Sequence, residues 1–583
     1  MTELFETEDV HDRRLVRGAT GLLAAFNVGG LLEAADVHVA RRVCEIVAET
    51  DESVALAVAL AVRAVRHGSV CVDLTELAAS LPGLPWPDVD GWVDRVAAST
   101  VVSASVVRTE HGLLYLDRYW REEGQVRDDL LVRADRPAPA VDPVVLDAGG
   151  ARIFPESGYD EQRTAARAAA GQWTTVLTGG PGTGKTTTVA GLLALLAEQS
   201  PRPLRIALTA PTGKAAARLQ EAVAAATAEL ADEDRDRLGP LTAQTLHRLL
   251  GWRPDSRTRF RHHRGNRLPH DVVVVDETSM VSLTMMARLV EAVRADARLV
   301  LVGDPDQLAS VEAGAVLADL VGGLADRVPG AVAALRTSHR FGARIGALAE
   351  ALRDGEADRV LELLREGGPE IDFVDPDDTS ATEAVRRTVL DHALAVRSAA
   401  LAGDADAAVA ALDRHRLLCA HREGPHGVQH WNRLVERWLG EATGSPVGWG
   451  QEWYVGRPLL VTANDYGLGL FNGDTGVVVQ QDDGSVRAVI AGVGSHHTFA
   501  TSRLSEVETM HAMTVHKSQG SQADEVTVLL PPEDSPLLTR ELFYTAVTRA
   551  QSRVRVVGTE AAVRAAVGTR AQRATGLRQR LIG

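Results

Sequence analysis

The sequence predicts an α/β protein with two parallel-sheet cores in tandem, a helical domain before them and two small β insertions. Short β-branched segments alternate with alanine-rich helical segments from Thr174 onward, as is typical of a parallel sheet covered by helices on both faces. Before about residue 133 the apolar residues have helical spacing, and between about 450 and 503 short strands and turns replace it. A chain of 583 residues is also too long for one hydrophobic core.

The domain boundaries follow from these changes of pattern. Helical spacing is clearest in ALAVALAVRAV, Ala55–Val65, and ends before the proline-rich segment 134–143, which is typical of a linker. We therefore expect a helical domain over 1–140, a first core over 141–335 and a second core over 336–583. The acidic start of the chain and the absence of an 18-residue apolar run predict a cytoplasmic protein with no membrane contact.

Seven β-branched segments are the predicted strands of the two cores. The first core has four of them, at 174–178, 205–209, 272–275 and 298–302. The second core has three, at 417–420, 526–530 and 553–557.

Each core carries a predicted insertion. In the first, RTRFRHH followed by RGNRLPHD predicts a β-hairpin within about 252–270. This segment contains six arginines and one acid, Asp255. Such a patch is suited to phosphate contacts, although the net charge of the chain is −16. In the second, PLLVT, GVVVQ, VRAVI and HTFAT, separated by turn signals such as Asn472-Gly473, predict a small β-barrel over about 450–503.

The segment GGPGTGKT has the Walker A pattern of a phosphate-binding loop. It follows a predicted strand and opens a predicted helix, so that backbone N–H groups and a helix N-terminus converge on phosphate oxygens. Lys185 is predicted to reach the β- and γ-phosphates of ATP, and Thr186 to coordinate Mg²⁺. The predicted nucleotide-binding residues of this segment are Gly179, Gly180, Pro181, Gly182, Thr183, Gly184, Lys185, Thr186 and Thr187.

Asp276 and Glu277 end the apolar strand VVVV, at the sheet edge where ligands of open α/β sheets bind. This Walker B pattern predicts that Asp276 holds Mg²⁺ and that Glu277 orients or deprotonates the attacking water. Two acids after a strand could instead cap the next helix.

Three further side chains are candidates for contact with the transferring phosphoryl group. Gln307, in GDPDQL, follows another strand, and a glutamine bonded within its own loop would give the same pattern. Arg340, in LRTSHRF, and Arg549, in YTAVTRA, are candidate arginine fingers, although most arginines are solvated surface residues.

In their order and spacing these motifs resemble those of superfamily 1 helicases, and within them the RecD-type proteins, from about Phe154 to Gly558. The resemblance implies two RecA-like P-loop domains in tandem, with an SH3-like β-barrel in the second. It also implies that Gln162 contacts adenine and that Gln519 and Gly520 lie near the nucleotide.

The same resemblance implies a set of DNA-contacting residues. These are Thr212, Gly213, Lys214, Thr245, His247, Thr514, His516 and Lys517. It further implies 5′ to 3′ movement on single-stranded DNA, and the basic hairpin lies where the family places a strand-separating pin.

RecD-type proteins that are alpha subunits of exodeoxyribonuclease V act on duplex DNA ends together with RecB-like and RecC-like subunits, in double-strand break repair and recombination. The N-terminal segment resembles the start of these subunits, and about 150 residues before the motor is short for the extension of stand-alone relatives. The resemblance therefore implies a heterotrimer subunit whose nuclease site is on another subunit.

Other readings predict different activities for the purified chain. A nuclease would need a further cluster of acids with a lysine, which the tail after Thr559 lacks. A decayed ATPase would bind the nucleotide without DNA-stimulated turnover, whereas all expected catalytic residue types are present. RNA in place of DNA is argued against only by the resemblance, because backbone contacts and stacking serve either polymer.

Overall fold

The computed structural model describes residues 4–5, 9, 11–155, 157–253, 256–337, 342–444, 447–448, 452–465, 467–492 and 496–582. For residues 90, 157 and 256–258 it describes the backbone only. Arg340, one of the two candidate arginine fingers, lies outside the described residues.

The N-terminal domain consists of helices and a small antiparallel sheet. Its helices are α1 (Gly21–Val28), α2 (Ala34–Ile46), α3 (Glu52–Arg66), α4 (Leu74–Ser80), α5 (Val89–Ala97), α6 (Thr100–Ser103) and α7 (Asp117–Ala134). Its strands are β1 (Cys71–Asp73), β2 (Val107–Glu110) and β3 (Leu113–Leu116), in the order β1-β3-β2. The sequence predicted helices alone, because strands of three or four residues are too short for a period of two to be distinguished.

The first core contains a six-stranded, fully parallel sheet and the hairpin. Its helices are α8 (Pro143–Ile153), α9 (Asp160–Ala170), α10 (Lys185–Glu198), α11 (Gly213–Ala228), α12 (Asp232–Leu238), α13 (Leu246–Leu250), α14 (Leu283–Ala292) and α15 (Val316–Arg327). Its strands are β4 (Thr174–Gly179), β5 (Ile206–Ala210), β6 (Ala243–Thr245), β7 (Trp252–Arg253), β8 (Ser256–Phe260), β9 (Val272–Val275), β10 (Arg298–Gly303) and β11 (Val332–Leu335).

The sheet order in this core is β11-β4-β10-β9-β5-β6. The four predicted strands form its centre. The edge strands β6 and β11 were not predicted, since AQT and VAAL lack a β-branched run.

The two strands of the hairpin are not the two segments that the sequence predicted. β7 pairs with β8, whereas residues 263 and 266 close only a tight turn beyond it. Arg264 in that turn forms a two-pronged ion pair with Asp129 of α7, at 2.8 and 2.7 Å, and Arg267 donates to the carbonyl of Val293. Two of the six arginines of the basic patch therefore have structural partners.

The second core contains a five-stranded parallel sheet and an inserted antiparallel sheet. Its helices are α16 (Ala343–Asp354), α17 (Ala357–Glu366), α18 (Thr379–Leu401), α19 (Ala405–Arg414), α20 (Val428–Thr443), α21 (Arg540–Val547) and α22 (Glu560–Gly568), and α23 (Leu577–Ile582) follows them at the end of the chain. Its strands are β12 (Ile371–Val374), β13 (His415–Cys419), β14 (Pro458–Val461), β15 (Thr475–Gln480), β16 (Val486–Ala491), β17 (His496–Ala500), β18 (Val507–Thr509), β19 (Ala512–Thr514), β20 (Ala523–Leu529) and β21 (Ala550–Val557).

The parallel sheet has the order β12-β21-β20-β13-β19, and the inserted sheet has the order β17-β16-β15-β14-β18. All seven predicted strands of the two cores and all four of the insertion are present. The fifth inserted strand, β18, was not predicted. Among the described residues no ladder joins β17 to β18, so the insertion is an open five-stranded antiparallel sheet.

The end of the chain returns to the first core. Leu577 and Leu581 of α23 are fully buried in the hydrophobic cluster that includes Leu320 of α15. The backbone N–H of Val70 in the N-terminal domain donates to the carbonyl of Ala574 at 2.9 Å. The segment after about residue 570 therefore packs with the first core and the N-terminal domain, although the sequence assigned it to the second core. In the described part of the chain no helix is long and apolar enough to span a membrane.

Candidate active site

The phosphate-binding loop joins the end of β4 to the first residue of α10. Gly182 and Gly184 have φ of +82° and +81°, a left-handed conformation that side chains with a Cβ disfavour. The Lys185 ammonium donates to the carbonyls of Gly179 and Gly180, at 2.6 and 2.8 Å. Lys185 therefore lies folded over its own loop, within reach of any anion that the loop amides bind.

Gln162, on α9, is fully buried beneath this loop. Its side-chain Nε2 donates to the carbonyl of Thr183 at 3.0 Å, and a Cβ added to Gly184 would lie 3.1 Å from the same nitrogen. In this conformation the residue expected to meet adenine supports the backbone of the phosphate-binding loop.

Asp276 and Glu277 follow β9 directly, on the same sheet edge as the loop. The backbone N–H of Asp276 donates to Thr209, and the N–H of Glu277 donates to the Asp276 carboxylate at 2.9 Å. Glu277 has φ of +50°, and strain of this kind in a residue other than glycine is concentrated at functional sites.

The environment of Asp276 favours a bound cation. Burial and the neighbouring Glu277 raise the pKa of Asp276 to about 6, and the Lys185 ammonium acts in the opposite direction. A partly buried carboxylate with a raised pKa fits a Mg²⁺ ion, which Thr186 of α10 would share with Asp276.

Gln307 lies in the turn after β10, and its partners come from both cores. Its Nε2 donates to Asp304 Oδ2 at 2.9 Å, and its Oε1 accepts from Arg549 Nη2 at 3.0 Å. Arg549 is buried between the end of α21 and the start of β21, in the second core. The structure thus brings together Gln307 and Arg549, which the sequence analysis selected separately.

Asp304 and Tyr544 were missed by the sequence analysis, although both lie inside motifs that it quoted. Tyr544 of α21 donates its hydroxyl to Asp304 Oδ2 at 3.0 Å, and both side chains are buried. An acid before Gln307 and a tyrosine before the motif arginine were the available signals. Neither residue type alone distinguishes a buried partner from a surface residue.

Gln519 and Gly520 connect the two cores instead of facing the loop. Gln519 Nε2 donates to the carbonyl of Leu308 at 2.7 Å, next to Gln307. Gly520 accepts through its carbonyl from Arg218 of α11 at 2.7 Å. Their expected proximity to the nucleotide is therefore indirect, through the turn that carries Gln307.

The residues expected to meet DNA form two groups, and a loop of the inserted sheet touches both. Thr212 caps α11, and Gly213 is so close to Phe471 that a Cβ at 213 would lie 2.5 Å from the ring. Lys214 is partly buried, and burial lowers its pKa to about 8. In the second group, Lys517 donates to Asn472 Oδ1 at 2.7 Å.

The remaining members lie beside these groups. Thr245 caps α13, and the ring of His247 lies 5.9 Å from that of Phe260 in the hairpin. Thr514 accepts from the backbone N–H of Lys517 at 3.2 Å. His516 is partly buried, and burial lowers its pKa.

Lysine is confined to these motifs. The whole chain has three lysines, Lys185, Lys214 and Lys517, among 62 basic residues. One lies in the phosphate-binding loop and two lie in the expected DNA-contacting motifs. Lysine-directed chemistry would therefore report on these sites alone.

Comparison with known proteins identifies the family. Three family models match: an AAA domain over residues 162–313, a UvrD-like helicase C-terminal domain over 509–557, and the N-terminal domain of RecBCD enzyme subunit RecD over 29–110. The RecBCD enzyme subunit RecD of Mycolicibacterium smegmatis is 64% identical over 569 residues, covering 96% of this chain and 99% of that protein. The chain belongs to the RecD family.

Two further matches have lower sequence identity. The RecD-family chain is 32% identical to the ATP-dependent RecD2 DNA helicase of Deinococcus radiodurans, over 83% of this chain and 60% of that protein. A crystal structure of Bacteroides Pif1 bound to ssDNA covers 68% of this chain and 91% of that one, with 17% identity and a TM-score of 0.38.

Proposed function

We propose that this chain is an ATP-dependent DNA helicase, the alpha subunit of a RecBCD-type helicase-nuclease in double-strand break repair and recombination. One observation carries the proposal: Gln307 of the first core and Arg549 of the second meet beside the phosphate-binding loop. A site shared by two cores can couple ATP hydrolysis to their relative movement, whereas a site within one core cannot do so directly.

The residues divide the chemistry of phosphoryl transfer between them. The loop amides and Lys185 hold the β- and γ-phosphates of ATP, and Thr186 and Asp276 would hold Mg²⁺, which neutralises developing charge when bound. Glu277 orients or deprotonates the attacking water. Gln307 and Arg549 stabilise the charge on the transferring phosphoryl group, and Arg340 stays a second candidate for that role.

The DNA strand runs across the two groups of backbone-contacting residues. Lys214 belongs to the first core and Lys517 to the second, so a change in the separation of the cores would shift one contact along the strand relative to the other. The 5′ to 3′ direction and the SH3-like character of the inserted sheet are part of the proposal and rest on resemblance to the RecD family.

The subunit assignment rests on the extent of the similarity. The chain is 64% identical to the RecD subunit of M. smegmatis and 32% identical to the stand-alone RecD2 of D. radiodurans. We therefore assign RecB-like and RecC-like partners, with the nuclease site on one of them, and expect the complex to act on DNA ends in the cytoplasm.

Lysine footprinting tests the binding sites one by one. The full-length chain would be reductively methylated with and without ligand, and the modification of Lys185, Lys214 and Lys517 would be measured by mass spectrometry. We expect a non-hydrolysable ATP analogue to protect Lys185, and oligo(dT) to protect Lys214 and Lys517. Equal reactivity of Lys214 and Lys517 with and without oligo(dT) would contradict the DNA path, and stronger protection by oligo(U) would favour an RNA substrate.

A further inference from the structure

Tyr544, a residue of the second core, forms a hydrogen bond at the nucleotide site of the first core. Its hydroxyl donates to Asp304 Oδ2 at 3.0 Å across the cleft between the cores. Both residues are about 3% exposed, so the bond is shielded from water. A shielded hydrogen bond to a carboxylate is among the stronger ones in proteins.

The Asp304 oxygen that accepts from Tyr544 also accepts from Gln307. The Gln307 amide donates its NH₂ to Asp304 Oδ2 and accepts through its oxygen from Arg549 Nη2. Because an amide group has one donor end and one acceptor end, these two partners fix which end faces Arg549. A single chain of hydrogen bonds therefore runs from Tyr544 through Asp304 and Gln307 to Arg549.

The Tyr544 hydroxyl also lies directly above the phosphate-binding loop. A Cβ added to Gly180 would come 3.0 Å from that hydroxyl. The adjacent residue, Thr545, contacts the turn that carries Gln307, because its Oγ1 accepts from the backbone N–H of Leu308 at 2.9 Å. Helix α21 thus contacts both the loop and the turn that carries Gln307.

We propose that Tyr544 is a positioning residue for ATP hydrolysis: its hydroxyl holds Asp304, which orients the Gln307 amide toward Arg549 beside the phosphate-binding loop. This inference rests on the proposed ATPase function and adds a residue to it. Tyr544 acts through Asp304 and does not itself take part in the chemistry.

Loss of the hydroxyl would affect the chemical step more than ATP binding. The phosphate-binding loop and Lys185 keep all their described hydrogen bonds when Tyr544 is replaced by phenylalanine, so the affinity for ATP should be preserved. Asp304 loses the hydrogen bond that holds it in place, so it orients the Gln307 amide less firmly at the transferring phosphoryl group. An interaction used mainly in the transition state is seen in kcat and not in KM.

The test compares Tyr544→Phe with a matched control, Tyr454→Phe, in the full-length chain with its co-purifying partners. Tyr454 is also buried, and its hydroxyl donates to Glu436 at 3.1 Å and contacts His511 Nε2 at 2.8 Å, within the second core. We expect Tyr544→Phe to lower the kcat of DNA-stimulated ATP hydrolysis about tenfold, with the KM for ATP within about twofold of the wild-type value. Tyr454→Phe should leave both constants unchanged.

A second variant separates positioning from a general loss of structure. Asp304→Asn should lower kcat as well, and adding Tyr544→Phe to it should cause little further loss, because both changes break one chain of bonds. A wild-type kcat in Tyr544→Phe, an increase in KM alone, or an equal loss in Tyr454→Phe would overturn the inference. If the wild-type protein itself shows no DNA-stimulated hydrolysis, it is the proposed function that fails.

Discussion

At the scale of single residues, the charged carboxylate of Asp276 lowers the stability of the nucleotide-free folded protein. Its carboxylate is partly buried beside Glu277, and burial together with that neighbouring acid raises its pKa to about 6. The folded protein therefore binds a proton at Asp276 more tightly than the unfolded chain does. Stability from this group is fully present at low pH and is lost as pH rises through about 6.

Asp276→Asn should consequently stabilise the nucleotide-free protein while abolishing ATP hydrolysis. Since one pKa unit corresponds to 1.36 kcal/mol, we expect a gain of about 1–3 kcal/mol at pH 7.5 that shrinks as pH falls through 6 toward 4. Thermal unfolding followed by calorimetry at pH 7.5 and 5.5 measures the difference. The exposed Asp482→Asn is the control, and a variant less stable than the wild type at pH 7.5 would contradict this account.

The site residues that could be predicted from the sequence lie in motifs whose residue types and spacing are set by the phosphate chemistry. Glycine spacing before Lys185 and an acid pair after an apolar strand both follow from where the chain must turn and what the phosphates require. Asp304 and Tyr544 have no such pattern. Their pairing joins positions 240 residues apart in sequence, and only the docking of α21 against the first core brings them together.

At the scale of elements, the C-terminal helix α23 fastens the second half of the chain to the first. Arg580 is buried, forms ion pairs with Glu123 of α7 and Glu110 of β2, and donates to the carbonyl of Trp120. Burial raises the pKa of Glu123, while Arg580 and hydrogen bonds from Thr575 and Gly576 favour its charged form. A buried acid of this kind depends on its cation.

Arg580→Ala should therefore destabilise the protein strongly, because Glu123 would be left buried without Arg580. Breaking a buried pair typically costs about 3–5 kcal/mol, and the Tm should fall by several degrees. Arg578→Ala is the matched control on the same helix, since its side chain is 59% exposed and its contact with Asp326 is 3.6 Å long. Equal Tm values for the two variants would show that α23 has no such role.

The loop between Leu470 and Asp474 is the second element with a cross-core role. Phe471 lies against Gly213, and the nearby Asp474 carboxylate partly offsets the lowering of the Lys214 pKa by burial. Phe471→Ala should expose Lys214 in the DNA-free protein and raise its rate of reductive methylation several-fold, with Lys185 unchanged as an internal control. An unchanged Lys214 rate would mean that the ring does not cover it.

The elements that the sequence missed are short or non-local. Strands such as β1 and β6 have three residues each, and their existence depends on a neighbour that offers a hydrogen-bonding edge. The position of α23 could not be read from its own residues either, because LRQRLI gives an amphipathic helix wherever it packs. The central strands were predictable because burial on both faces demands a continuous apolar run.

At the scale of the whole molecule, the two parallel-sheet cores meet along a surface formed by the turn that carries Gln307, helix α11 and helix α21. Hydrogen bonds across this surface involve Leu308, Arg218 and Arg549. They link the nucleotide site to the segment that contains Gln519 and Gly520. This segment directly follows Lys517, which is expected to contact DNA. Closure of the cores on ATP would therefore be transmitted to the DNA contacts through few residues.

The most direct test of the central claim is strand displacement by the full-length chain, alone and with its co-purifying partners. The substrate is a duplex with a 5′ single-stranded overhang, and a 3′ overhang serves as the control for direction. We predict ATP-dependent unwinding from the 5′ overhang by the wild-type chain and its loss in Lys185→Gln. Unwinding of the 5′-overhang duplex by Lys185→Gln at the wild-type rate would contradict the account.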